Sequence, residues 1–372
     1  MNKLRDAQNT VIVVEHNDDV IKASDYILEL GPGAGKFGGE IIASGSLNDR
    51  ICNPKSVTAK FLKSNGKKIE KVRRKPREYL EINEAQLHNL KNISVKIPTG
   101  IFVAVTGVSG SGKSTLINDV FTREYADKVT FIDHSPVGSN PRGSIATYSE
   151  VFESIRELFA KENKVNKSLF SFNSKGACPE CNGLGYKKID MHFMADVKIS
   201  CETCGGKKFN QEVLNYKYKG KDINEVLTMT IAEAASFFKH QDIDKRINML
   251  KEIGLDYLEL GQTLDTLSGG ESQRLKLASK LHKKNEFYVM DEPTSGLHFA
   301  DIEKLLKLID KLVDQGNSVL VIEHSLDVIG HADWVIDLGP EGGDQGGQIV
   351  GEGTPEDISK IKNSYTGQFL KK

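Results

Sequence analysis

Three short segments of this chain carry residue types that could work on a nucleotide. The first, Gly107-Val108-Ser109-Gly110-Ser111-Gly112-Lys113-Ser114, spells G-x-x-x-x-G-K-S between the apolar run Ile101-Phe102-Val103-Ala104-Val105 and the helix-like Thr115-Leu116-Ile117-Asn118. Glycines here let the backbone turn tightly enough to aim several N–H groups at phosphate oxygens, and the following helix adds its positive dipole end. Lys113 is expected to reach the β and γ phosphates of ATP and Ser114 to ligate Mg²⁺, with Thr115 beside them in the same cradle. An ordinary Gly/Ser turn is the plainer reading of such a loop taken alone. The second segment follows Phe287-Tyr288-Val289-Met290, which reads as a buried strand delivering Asp291 and Glu292 to the carboxyl edge of a sheet, where open α/β sheets bind ligands. Asp291 is placed to hold Mg²⁺ and Glu292 to polarise an attacking water. A solvated strand end is the alternative for an isolated Asp-Glu pair. The third, Leu267-Ser268-Gly269-Gly270-Glu271-Ser272-Gln273-Arg274, lies between the other two.

Four of the cysteines make a second constellation. Cys178-Pro179-Glu180-Cys181 and Cys201-Glu202-Thr203-Cys204 give C-x₂-C…C-x₂-C with residues 182–200 between them, within the spacing of a structural zinc site. The glycines that follow, Gly183 and Gly185, then Gly205 and Gly206, suit turns whose N–H groups point at sulfur. Disulfides or free thiols are the competing readings, and disulfides are disfavoured in a reducing compartment. A Cys₄ site leaves no open position, so Zn²⁺ there is expected to be architectural. Cys52 reads as a plain small residue.

These segments require a framework. The phosphate loop, Leu267–Arg274 and Asp291-Glu292, in that order, resemble the ATP-binding cassette (ABC) ATPases, a P-loop α/β fold. The stretch from the loop to Leu267 is much longer than a compact helical subdomain needs, so residues 164–264 read as an insertion carrying the Cys₄ module and a helical stretch from Ile223 to Leu260. In it Val226-Leu227, Ile231, Ala234-Ala235 and Phe237-Phe238 recur at near-helical spacing and are expected in the core. The chain also repeats itself. Val11-Ile12-Val13-Val14-Glu15-His16 matches Val319–His324, Asp25–Pro32 matches Asp333–Pro340, and Gly38–Ile41 matches Gly346–Ile349. The expected division is therefore the tail of a first cassette (1–60), a basic linker (61–78), the ATP-binding core in two parts (79–163 and 265–372) and the insertion (164–264). Val11–Val14 is expected as a strand. The linker region, with Lys60, Lys63, Lys67, Lys68, Lys71, Arg73, Arg74, Lys75 and Arg77 against Glu70, is read as solvated rather than bound to a phosphate backbone.

Composition sets limits. With 372 residues, 38% hydrophobic and 27% charged, the chain can bury a core without staples, and a net charge of −1 confines any nucleic-acid footprint to local patches. No apolar run approaches the roughly 20 residues of a membrane span, and the start leads into no secretory signal, so a cytoplasmic protein without a membrane partner is expected.

Taken together, LSGGESQRLKLA, the Cys₄ module between phosphate loop and signature, DEPTSGLH, VIEHSLDVI and ADWVIDLGPEGG resemble the UvrA family, damage-sensing ATPases of bacterial nucleotide excision repair. The resemblance implies ATP hydrolysis, dimerisation, binding to damaged duplex DNA, and hand-over to UvrB and UvrC. By position it makes Gly107–Ser114 the phosphate cradle and Ser268, Gly269, Gly270 and Glu271 the signature facing a nucleotide on an opposing cassette. It makes Asp291 and Glu292 the Mg²⁺ and water residues, His324 the switch at the γ-phosphate, and Cys178, Cys181, Cys201 and Cys204 the zinc ligands. Asp133-His134-Ser135-Pro136 departs from the family's Asp-Gln-Ser-Pro, which puts a Mg²⁺ contact in question and implies slower hydrolysis. The resemblance covers the second cassette plus the end of a first, without the UvrB-docking region. A repair subunit, a short paralogue associated with drug tolerance and one half of a divided protein all stay open. The partner is expected to be a second copy or a separate first-cassette chain. A transporter ATPase would lack the zinc insertion.

Overall fold

The computed structural model describes residues 1–15, 18–31, 38–47, 56, 58–59, 72–133, 135, 137–138, 140–189, 191, 197–280, 284–297 and 299–371. His16, Pro32, Cys52, residues 60–71, His134 and Pro136, all singled out above, lie outside the described residues. The strands are β1 (Ile27–Gly31), β2 (Glu40–Gly45), β3 (Tyr79–Ala85), β4 (Ile93–Pro98), β5 (Phe102–Gly107), β6 (Val129–Ile132), β7 (Tyr186–Ile189), β8 (Val197–Ser200), β9 (Phe287–Asp291), β10 (Ser318–Ile322), β11 (Trp334–Gly339) and β12 (Gln348–Gly353).

The central sheet runs β12-β11-β5-β10-β9-β6, parallel except for the antiparallel edge strand β12. Its inner strands are continuous apolar runs, as expected where both faces are covered. Alternation sorts them into two layers. Phe102, Ala104, Tyr288, Met290, Val319 and Val321 face a large core shared with the helices and the insertion. Val103, Val105, Val289, Leu320, Ile322 and Ile336 face a second core closed by the β3–β4 hairpin and the helix Thr115–Phe121. The architecture is the α/β P-loop fold read from the sequence.

The helical part of residues 164–264 is short helices rather than one long stretch. The segment 223–260 divides into Ile223–Leu227, Ile231–Phe237 and Gln241–Glu252. Capping boxes start the first two, Asp222 with Glu225 and Thr230 with Glu233, each side chain satisfying the other's orphan N–H. Val226, Leu227, Ile231, Ala234 and Phe238 are buried as expected.

Two expectations fail. Val11–Val14 forms no strand and is exposed; a strand needs neighbours to take its backbone groups, and among the described residues no strand pairs with this segment. The described end of the basic linker is pinned rather than solvated. Arg73 donates to Gly330 O and Ala332 O, both at 2.9 Å, and Arg74 pairs with Asp310, Asp314 and the fully buried Asp333. These carboxylates push the Arg74 guanidinium's pKa up against the opposing effect of burial, the largest single influence.

Candidate nucleotide and metal sites

Strand β5 ends in Gly107, whose left-handed φ of 138° no side chain would share, since a Cβ there would stand 2.0 Å from Leu338 O. The loop then turns into Thr115–Phe121, wound as a π-helix, a form that recurs at functional sites. Lys113 is buried and folds back over the loop, donating to Gly107 O at 2.9 Å and Val108 O at 2.8 Å. Burial lowers its pKa, opposed by the charges of Glu292, Asp337 and Asp291. The buried Ser111 hydroxyl has no partner. Ser114 is exposed.

The acidic pair stands where the strand was expected to deliver it. Asp291 Oδ2 accepts from Asn118 Nδ2 at 3.0 Å, tying the end of β9 to the helix after the loop. Glu292 adopts left-handed backbone (φ 42°), its N–H donating to Ile322 O at 2.9 Å. A non-glycine residue in that region is strained and is kept where the surroundings demand it. Its carboxylate lies 3.3 Å from His324 Nε2, both side chains half-exposed. Structure thus brings Glu292 and His324 together from two strand ends.

Glu323, next to His324, is buried and organises both loops. Its Oε1 accepts from the Thr294 N–H at 3.0 Å and hydroxyl at 2.5 Å, and its Oε2 from the N–H groups of His324 at 2.8 Å and Ser325 at 3.0 Å. Sequence reasoning missed Glu323, Asn118 and Asn89. Asn89 braces the phosphate loop from outside, donating to Gly110 O at 2.9 Å and Gly343 O at 3.2 Å. Glu323 was the most visible of them, an acid following the otherwise apolar strand β10.

Ser268–Glu271 opens the helix Gly269–Lys280. Deeper in that helix Gln273 donates to Asp291 O at 2.9 Å and Ile132 O at 3.3 Å, and Lys276 bonds Asp133 at 2.5 Å and Ser135 at 2.7 Å. One helix therefore ties the signature to the ends of β6 and β9.

The four cysteines meet. Their sulfurs all lie within 4.8 Å of one another, buried and free of disulfide bonds. Cys178 Sγ is 4.0 Å from Cys201 Sγ, and Cys181 Sγ is 3.7 Å from Cys204 Sγ. Tetrahedral coordination with metal–sulfur bonds of about 2.3 Å puts sulfurs about 3.8 Å apart, so the set fits one such ion. The Gly185 N–H points at Cys181 Sγ at 3.2 Å, and the Cys204 N–H holds the Cys201 thiol down to about 7. Burial pushes Cys181 and Cys204 up. Lys208, beside this module, is part-buried, its ammonium 5.2 Å from the Phe172 ring centroid; desolvation lowers its pKa.

A family model described as ABC transporter matches residues 90–295, and with the sheet and loop above it defines the class: an ATP-binding cassette ATPase. UvrABC system protein A of Aquifex aeolicus is 48% identical over 99% of this chain and 44% of that protein; its namesake in Streptococcus pyogenes serotype M1 is 47% identical over 100% and 43%. The crystal structure of UvrA2 from Deinococcus radiodurans superposes with a TM-score of 0.92 at 39% identity, covering 96% of this chain and 47% of that one. Within the class, this chain belongs to the UvrA family. It spans less than half the length of these curated relatives. Among the described residues no helix is long and apolar enough to cross a membrane.

Proposed function

We propose that this chain is the second ATP-binding cassette of a UvrA-type assembly that binds DNA under control of ATP. The loop Gly107–Ser114, with Thr115, binds the triphosphate, and Lys113 turns from its own carbonyls to the β and γ phosphates. Ser114 and Asp291 hold Mg²⁺, which neutralises phosphate charge. Glu292 orients and polarises the attacking water, His324 contacts the γ-phosphate, and Ser268–Glu271 serve a nucleotide on an opposing cassette. The observation that carries this reading is the strained Glu292, 3.3 Å from His324 at the mouth of the phosphate loop.

The division into a first-cassette tail (1–60), linker (61–78), two-part core (79–163 and 265–372) and insertion (164–264) belongs to the same reading. Cys178, Cys181, Cys201 and Cys204 hold Zn²⁺ in the cytoplasm, where thiols stay reduced. Exposed Lys188 and Lys207, with Lys187 and Lys198 paired to Glu180 and Asp265, surround the metal turns and offer charge to a DNA backbone, whereas part-buried Lys208, over the Phe172 ring, does not. The partner cassette is a second copy or a separate first-cassette chain.

The test is a duplex titration with ATP at several salt concentrations. Affinity is expected to fall linearly on logarithmic axes, by about 0.9 per phosphate neutralised. A parent protein that hydrolyses ATP yet binds neither damaged nor undamaged duplex would remove the DNA half of the proposal.

A further inference from the structure

The first turn of the signature helix is locked by a reciprocal pair. Ser268 N–H donates to Glu271 Oε2 at 2.8 Å, and Glu271 N–H donates to Ser268 Oγ at 3.3 Å, a capping box. That leaves Glu271 Oε1 to be satisfied from outside the helix. It accepts from the Tyr257 hydroxyl at 2.5 Å. A hydrogen bond to an ionised acceptor is about twice as strong as a neutral one. Burial, then the Glu271 carboxylate, push the Tyr257 pKa up, so the phenol keeps its proton and remains the donor.

Tyr257 belongs to the insertion. It follows the helix Gln241–Glu252, on a segment whose Leu255, Leu258 and Leu260 are buried. That segment is tied down by Ile231 N–H to Leu258 O at 2.9 Å, Ala232 N–H to Asp256 O at 3.0 Å and Leu260 N–H to Met229 O at 2.9 Å. Its position is thus set by the packing of the insertion, not by the signature helix. At its other contacts the signature helix reaches the catalytic strand through Gln273 and Asp291 O. A displacement of the insertion therefore has a direct polar route, Tyr257 to Glu271, to the turn that presents Ser268, Gly269 and Gly270.

We propose that Tyr257 is a positioning residue: its bond to Glu271 sets the orientation of Ser268–Gly270 toward the opposing nucleotide and transmits movement of the insertion to it. This rests on the reading above that the signature acts across two cassettes. Tyr257 acts through Glu271 rather than through the phosphate loop, so its loss should spare nucleotide binding by the chain's own loop and depress turnover.

The experiment compares Tyr257→Phe, which keeps the ring and removes the donor, with the parent and with Lys113→Ala. Tyr257→Phe is expected to lower kcat by about tenfold, equivalent to about 1.4 kcal/mol, with KM for ATP and Tm near the parent's. Mixing Tyr257→Phe with Lys113→Ala chains should restore activity above either alone, because the Lys113→Ala copy brings an intact signature to the other copy's intact loop. If Tyr257→Phe turns over like the parent, the proposal is wrong while the composite site stands. If Tyr257→Phe loses kcat and Tm together and mixing restores nothing, Tyr257 is plain packing and the proposal is again wrong. Should Lys113→Ala and Ser268→Arg chains, one lacking the loop lysine and the other the signature, also fail to complement each other in any mixture, the composite site falls, and this inference with it.

Discussion

Residues 11–59 and 319–367 hold one small design in two different settings. Both contain an antiparallel hairpin with the same register: Ile27 faces Gly45 as Val335 faces Gly353, and the register shifts between Glu29 and Leu30 as it does between Asp337 and Leu338. Both close on the same clamp. Ser56 and Thr58 hydroxyls donate to Glu29 at 2.6 and 2.9 Å, and Ser364 and Thr366 hydroxyls donate to Asp337 at 2.6 and 3.1 Å. The surroundings differ. In the second copy β11 pairs in parallel with β5, and Ile336 and Leu338 are 0% and 1% exposed. In the first copy Leu28 and Leu30, the matching positions, are 55% and 63% exposed. Val319–Ile322 is a central strand, while Val11–Val14 is bare, irregular chain. The hairpin and its clamp are thus encoded locally, whereas the preceding strand exists only where a core supplies both neighbours.

The sharpest way to break this contrast is to put the same charge in both copies. Val321→Asp, at 0% exposure in mid-sheet, should cost more than about 4 kcal/mol and prevent folding, whereas Val13→Asp should stay within about 0.5 kcal/mol in a denaturant titration. Similar losses from both would show that the first copy is buried after all.

A smaller effect is expected at the clamp. Asp337→Ala removes two hydrogen bonds to a buried carboxylate and should lower global stability by about 2–3 kcal/mol; Glu29→Ala should leave Tm unchanged and only speed amide exchange in residues 27–45. Burial, the leading cause, raises the Asp337 pKa above its ordinary 3.8 despite Ser364 and Thr366. Its contribution to stability is therefore complete below 3.8 and is lost as pH rises through the raised value. Asp337→Asn should flatten that part of the Tm–pH curve, and an unaltered curve would contradict the assignment.

The smallest effect is kinetic. Under mild protease the first cuts should fall within residues 1–47, before any within 178–209, where the metal turns are packed. A chelator should reverse that order by loosening the cysteine turns while leaving the sheet protected. First cuts in the metal-bound cysteine module with an intact tail would count against the contrast.

How much of this the sequence declared depends on where each constraint resides. The phosphate loop, the acidic strand end and the Cys₄ pairs were legible because their chemistry fixes residue type and spacing locally. The fold class followed from them. The breaks at 228–230 and 238–240 in the insertion had a partial signal, the Asp222–Glu225 and Thr230–Glu233 boxes, that apolar periodicity alone overrode. Arg74 read as one charge in a solvated run because Asp310, Asp314 and Asp333 are distant in sequence. Tyr257 and Glu323 were hidden for the same reason: each gains its meaning from a partner loop that only folding brings near. Val11–Val14 misled in the opposite direction, since its pattern matches a strand and among the described residues no strand pairs with it.

The central claim is that a closed hydrolytic site takes two cassettes, with Glu292 as the residue that activates water. Light scattering of the Glu292→Gln chain with ATP and Mg²⁺ tests it most directly, because loss of water activation leaves nucleotide binding in place. An ATP-dependent shift to dimer is expected, with hydrolysis reduced at least about a hundredfold. A chain that stays monomeric at every concentration with ATP and Mg²⁺, or hydrolyses ATP at the parent's rate, would contradict it.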